Sequence, residues 1–402
     1  MSILGVWMWP ESVRTYGAER VVSLCALAGI TDIYFLTKGL AGTASYSSDI
    51  APRASERNLL GELLFAAHEA NIRVHAWLTS ASDEHYKTLH PESGRCHYTR
   101  GRDKALISLT DDGYLCYMER IVRELCRRYD IDGLHLDYIR YNHLLYGWGE
   151  EDLSRYAAAG ADISHLRELM DKTFLNGNES QPECIFDALH AGDKSVRALA
   201  DTRRRDVMHF ATTLIRAARE ERPSLCLSAA LMPEGAYDDT AFADLHYGQN
   251  YEDAAALYDC VLPMAYSKAY EKDSPWVRSV AEGTIKRGLK TIMGLHAYDT
   301  GTGITLSQDI AALQDAPIDG VCLFRFGAFA MAFWDSSVLR IVNTLSQPIT
   351  DITPFPGSRT ITLSPPILPG EDRAVPLPAL PDSIRVFSGK GEVCACLFHH
   401  QT

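Results

Sequence analysis

The sequence predicts an α/β protein, a (β/α)8 TIM barrel with a long insertion after strand four and a small β-rich C-terminal appendage. Three observations lead there. Short apolar runs recur eight times without clean alternation of polarity, as strands buried on both faces of a parallel sheet do. Between them lie segments with apolar residues at spacings of three and four, the pattern of helices laid on a core. No G-x-G-x-x-G follows the first run, so a closed barrel is favoured over a doubly wound open sheet.

The runs are ILGVWMW (3–9), DIYFLT (32–37), IRVHAWL (72–78), IDGLHLDYI (131–139), LCLSAAL (225–231), DCVLPMAY (259–266), LKTIMGLHAY (289–298) and DGVCLFRF (319–326). ERVVSLCALAG (19–29) reads as a helix ending at a glycine cap, and SERNLLGELLFAAHEAN (55–71) as one opening at Ser55 and ending at Asn71. DDGYLCYMERIVRELCRRY (111–129) and TRRRDVMHFATTLIRAARE (202–220) carry basic residues toward their C-terminal ends. Arg203, Arg204 and Arg205 then fall at a helix start, where the dipole disfavours cations. A solvated face is expected for them, with carboxylates or a ligand as the alternative.

The gap between the fourth and fifth strands is long. Residues 142–201 follow the chemically richest strand, on the face where barrels keep their sites, and are expected to form a lid or wall for substrate. Nine of the 18 prolines lie in 346–402, which forbids long helices there. ITLSPPILPG and IRVFSGKGEVCACLF read as short strands, the latter turning at residues 388–391. The expected division is a barrel over 1–345 and a scaffolding appendage over 346–402.

Composition narrows the partners. With 402 residues, 46% of them hydrophobic, the chain can bury a large core, and disorder is excluded. No apolar stretch is long enough to span a membrane. The net charge of −13 argues against a nucleic-acid or anionic-membrane binder. MSILGVWMWPES lacks the basic start and cleavage site of a secretory leader, and ten cysteines without C-x-x-C spacing read as reduced thiols. A cytoplasmic location is the expectation.

Groups at the C-terminal ends of barrel strands point into the site. They are Trp7 and Trp9; Lys38; His75 and Trp77; His135, Asp137, Tyr138 and Arg140; Glu234; Met264 and Tyr266; His296, Tyr298 and Asp299; and Arg325. Aromatic faces mixed with charged groups suit a carbohydrate, whose rings stack and whose hydroxyls need hydrogen-bond partners. In DIDGLHLDYIRY (130–141), His135 and Asp137 share one side of the strand. A carboxylate closing an apolar strand needs a partner, either Arg140 or a substrate. Glycosidic cleavage needs two carboxyl groups. Asp137 fills one place as nucleophile or base, and Glu234, with Asp238, Asp239 and Asp299 behind it, fills the other as general acid.

No P-loop, G-x-S-x-G, H-E-x-x-H or EF-hand loop occurs. No cofactor or metal is expected, since this chemistry runs on carboxylates alone. A metal site of His75, Asp137 and His296, as in a metal-dependent hydrolase or deacetylase, is the lesser alternative. The other is a carbohydrate-binding barrel without catalysis.

These strands together resemble the glycosyl-hydrolase-10-like family, bacterial (β/α)8 proteins classed as glycoside hydrolases. GVWMW, DIYFLTKGLAGTASYSSDIAP, IRVHAWL, RRYDIDGLHLDYIRY, LSAALMPE, GQNYEDAAALYDCVLPMAYS and GVCLFRFG carry the likeness, in order, from residue 3 to about 345. The resemblance implies hydrolysis of bacterial cell-wall glycans or other polysaccharides. It marks Asp137, Tyr138 and Arg140, Lys38 and Tyr46, His75 and Trp77, and Gln249 and Tyr266. Tyr251 and Asn142 depart from its usual Trp and Pro. Without a leader, trimming of imported or recycled oligosaccharides is expected over attack on an intact wall.

Overall fold

A computed structural model describes residues 3–174, 183–297, 303–335, 338–355, 359–381 and 383–398. Eight strands form one parallel sheet: Ile3–Met8, Asp32–Lys38, Arg73–Thr79, Gly133–Asp137, Cys226–Leu231, Cys260–Pro263, Ile292–His296 and Gly320–Phe324. Counted along the chain, they are hydrogen-bonded in the order six-five-four-three-two-one-eight-seven. Bridges between Val261 and Thr291 and between Met264 and Gly294 join the two ends, so the barrel closes. Each strand lies within a predicted apolar run, extended at most one residue beyond it.

Alternation along the strands sorts side chains into two layers. Val6, Met8, Ile33, Phe35, Val74 and Ala76 face outward and join the apolar cluster under the helices. Trp7, Tyr34, Trp77, Cys260, Leu262 and Cys322 face inward and fill the barrel. Several of the helices between strands start at side-chain caps. Asp111 accepts from Tyr114 N at 2.7 Å ahead of Asp112–Arg128, which ends in Arg127 and Arg128. Leu59–Glu69 is capped by Asn58, accepting from Gly61 N at 3.2 Å, so it begins after the expected Ser55.

The helix expected over 202–220 runs Lys194–Glu221, and Asp193 caps it. The three arginines are therefore mid-helix, where the end charge of the dipole is not felt. Arg203 is fully buried and donates to the carbonyls of Tyr146, His143 and His246, while Arg204 pairs with Asp253 at 3.0 Å. These are bolts between the insertion and the barrel. Arg95, also buried, does the same from the other side, donating to Arg140 O and Asn142 Oδ1, both at 2.9 Å. The two guanidinium groups lie over the Tyr141 ring, 3.8 Å (Arg203) and 5.1 Å (Arg95) from its centre.

The insertion builds its own apolar cluster from Leu144, Trp148, Tyr156, Leu166, Met170, Val196 and Leu199, on the helices Glu150–Ala158, Ile163–Phe174 and Lys194–Glu221. After the eighth strand the chain passes into Ala330–Asp335 with no helix described between them. Two four-stranded sheets follow, and the first already uses Ala330–Asp335 and Val338–Val342, ahead of the expected boundary at 345. Met331, Phe333, Val342 and Cys396 belong to the barrel's outer cluster, so this sheet covers the flank that a last helix would otherwise cover. No described helix is long and apolar enough to cross a membrane.

Candidate active site

A cavity of about 670 Å³ opens at the C-terminal end of the barrel, within the ~300–1,000 Å³ range of small-molecule sites. Its floor is Trp7, Trp77, Phe324, Tyr266, Met264 and Asp137, and its walls include Tyr138, Arg140, Met232 and Tyr270. Trp9, Glu11, Arg14 and the loop from Gly39 to Ser45 form the mouth.

Asp137 is the last residue of the fourth strand, level with Thr79 of the third. Three donors converge on its carboxylate. Trp77 Nε1 reaches Oδ2 at 3.2 Å; Tyr138 N and Arg140 Nη1 reach Oδ1 at 2.6 and 3.1 Å. The short bond to its neighbour's amide needs a turned backbone. Tyr138 supplies it with a φ of 55°, in the left-handed region, at about 1–2 kcal/mol for a non-glycine residue. Strain of this kind gathers at functional sites.

Glu234 sits in the turn Pro233–Ala236 after the fifth strand. It is buried and stands behind the wall, outside the cavity lining. Its oxygens accept from Tyr247 Oη at 3.3 Å and Tyr270 Oη at 3.5 Å. Burial pushes its carboxyl above the usual glutamic-acid range, more than those hydrogen bonds and Arg140 pull it down. Arg140 thus acts on both carboxyl groups. Tyr270 is the only one of Glu234's two partners that lines the cavity. It falls four residues after Tyr266, beyond the strand end, where strand parity does not mark it.

Of the expected residues, Trp7, Trp9, Trp77, Asp137, Tyr138, Arg140, Met264 and Tyr266 come together in the lining. The other described ones lie outside it. His75 is near the entry of its strand, level with Gly133 rather than Asp137, and bonds Asp32 at 2.8 Å while stacking on Tyr34 at 4.5 Å. His135 is fully buried one inward layer below Asp137. It takes the Trp7 indole N–H on Nε2 at 3.2 Å, so its proton sits on Nδ1 and is donated to Ser228 Oγ at 2.9 Å. Burial holds it neutral, far below the ordinary histidine range. It braces Trp7 in place of touching a ligand.

Lys38 is fully buried and ion-paired with Asp83 at 2.9 Å, where the strand register shifts after Leu36. Gln249 ties Met232 N to Ile139 O, at 3.0 and 3.2 Å, behind the wall. His296 packs behind Tyr266, with 5.4 Å between ring centres. Arg325 lies over Trp9, 3.6 Å from the ring centre. Tyr298 and Asp299 are outside the described residues. None of the described residues of 142–201 lines the cavity, so the expected lid is a separate packed unit. The metal alternative does not assemble, because His75 is held by Asp32 at the far end of its strand. Among the described residues no cluster of three or more His, Cys, Asp or Glu could hold an ion.

No protein-family model matches the chain, and no curated protein matches it in sequence. Solved structures do. The glycoside hydrolase domain of PgaB (BpsB) from Bordetella bronchiseptica superposes with a TM-score of 0.64 at 14% identity, covering 81% of this chain and 94% of that one. The catalytic domain of beta-amylase from Paenibacillus polymyxa gives 0.58 at 10% identity, over 80% and 92%. A beta-galactosidase from Marinomonas ef1 gives 0.57 at 14% identity, over 81% of this chain and 54% of that one. At such identities the likeness establishes the (β/α)8 barrel fold, and function rests on the site itself.

Proposed function

We propose that the protein is a glycoside hydrolase that cleaves an oligo- or polysaccharide with two carboxyl groups and no cofactor. The observation that carries this is Asp137, held by three donors at the floor of an aromatic cleft, with a second carboxyl group behind Tyr270 whose proton affinity burial raises. Tyr138 and Tyr266, half-buried above the Trp7 and Trp77 floor, offer ring surface for a sugar.

In the reaction, the bond from the anomeric carbon to the bridging oxygen breaks. That oxygen takes a proton that Glu234 supplies through the Tyr270 hydroxyl, which turns toward it from the Glu234 oxygen it donates to in the unliganded cleft. Water supplies hydroxide to the anomeric carbon, and its remaining proton ends on a carboxylate, so all atoms balance. Asp137 acts as the base for that water, or as the nucleophile whose sugar ester water then opens. The finer form of the proposal is a bacterial, cytoplasmic enzyme that trims short oligosaccharides. It rests on the family resemblance and on the cysteine content.

One observation favours a second reading, a carbohydrate-binding barrel without turnover: Glu234 stands outside the cavity lining. Reducing-end release from a panel of α- and β-linked glycans separates the two. The hydrolase reading expects turnover of at least one glycan, lost by about 10²–10⁴-fold in Glu234→Gln. Binding without release from any glycan would establish the second reading.

A further inference from the structure

The mouth of the cleft carries a feature that the two-carboxylate chemistry does not use. Trp9, one residue past the first strand, is 39% exposed, and Leu40 on the facing loop is 43% exposed. Both line the cavity. Their shared place at the mouth of the cavity makes the two side chains a candidate ligand surface. Trp9 is also held rigidly. The Arg325 guanidinium carbon lies over it, 3.6 Å from the ring centre, so one face is taken and the exposed area belongs to the other face and the ring edge. Its backbone is fixed as well, because it is the residue before the helix Pro10–Tyr16, with Ser12 N donating to Trp9 O at 3.1 Å.

Glu11 and Arg14 of this rim pair with each other at 2.5 Å across the first turn of that helix, and the Arg325 guanidinium lies on the Trp9 ring itself. The rim therefore sets hydrogen-bond donors and acceptors around an apolar face, which suits a sugar ring and its hydroxyls better than an ammonium group.

From this we infer an outer sugar subsite on Trp9 at the cleft mouth, taking a neutral hexose or N-acetylhexosamine unit one or more residues along the chain from the bond cut over Asp137. It deepens the glycoside-hydrolase reading and rests on it. The cleft therefore runs from Asp137 toward the loops after strands one and two, away from the insertion. Arg325 is a positioning residue for the platform.

The test uses the full chain carrying Asp137→Asn, so that sugars bind without being consumed. Cello-, xylo-, chito- and malto-oligosaccharides of one to five units are titrated calorimetrically. Wild-type turnover of the same ladders is followed in parallel. The expected result is a step in affinity at the length that reaches the mouth. Adding Trp9→Ala removes about tenfold of that step, the size of an aromatic stacking term, and leaves single-sugar binding unchanged. Trp9→Phe keeps most of the step and shows that the fold tolerates change there. Equal loss at every length, or no loss at any, overturns the subsite. Turnover without a length step keeps the hydrolase reading and discards the subsite. A Trp9-dependent step without turnover keeps the subsite and discards the hydrolase reading. No binding of any ladder overturns the subsite, and the turnover assay then decides the hydrolase reading by itself.

Discussion

Lys38 gives the sharpest check on the structure, because the sequence places it at a strand end facing substrate and the fold buries it. Its ammonium meets the Asp83 carboxylate at 2.9 Å, and neither side chain is exposed. At an effective dielectric of ~20 the attraction is about 6 kcal/mol, but each ion has given up several kcal/mol of hydration. Burial accordingly pulls the Lys38 pKa below the ordinary lysine range, against Asp83. The net worth of the pair is small, yet removing one member strands the other.

Lys38→Met should therefore cost about 3–5 kcal/mol. Asp83→Asn should cost about as much, since it strands the ammonium while the Asn oxygen can still accept from Tyr86 N and cap Glu84–Leu89. The double variant should be much less damaged than the sum, giving a coupling energy of several kcal/mol. Urea unfolding of the four proteins measures this. The pair also sets the cleft wall, because Glu84 N donates to Leu40 O at 2.9 Å and Gly42, with a φ of 77°, leaves no room for a side chain beside Asp83. Additive losses, or a Lys38→Met variant of normal stability with only a raised KM, would refute the buried-pair account and return Lys38 to the substrate.

Other outcomes follow from single contacts. Glu234 has a raised folded pKa, so its protonated form is favoured in the fold. kcat/KM should hold at acid pH and fall as pH rises through that value, Glu234→Gln should lose the alkaline limb, and at pH 8 the variant should be more stable than wild type; an unchanged limb contradicts the role. Trp77→Phe keeps a ring against Phe324 but removes the donor to Asp137 Oδ2; a bond to a carboxylate is worth about 1.5–3 kcal/mol, so kcat/KM should drop roughly 10- to 100-fold with little change in melting temperature. Gly133→Ala would drive a Cβ into His75 Nδ1 and to 3.0 Å from Cys226 O; overpacking of this kind costs about 1–3 kcal/mol, read by thermal unfolding.

The barrel was legible because continuous apolar runs and helical spacing recur through most of the chain. Which residues share a strand face was legible too, since parity along a strand is exact. Height was not. His75 and Trp77 have the same parity, but only Trp77 reaches the cleft, because the stagger between neighbouring strands sets His75 level with Gly133 and Trp77 level with His135. Lys38 was misplaced by a register shift that local sequence does not announce. Tyr270 and the mouth loop lie outside the strands, where strand-end reasoning does not look. The insertion was read from its position, whereas its apolar spacing supplies a core of its own.

Chemical rescue of Asp137→Ala tests the central claim most directly. On the best glycan found in the turnover screen, the variant should be inactive alone and regain turnover with azide or formate, small anions that fill the space of the lost carboxylate. A glycosyl azide product, or faster hydrolysis with formate, would place Asp137 at the face of the sugar that is attacked. Full turnover by Asp137→Ala without any added anion would contradict the account.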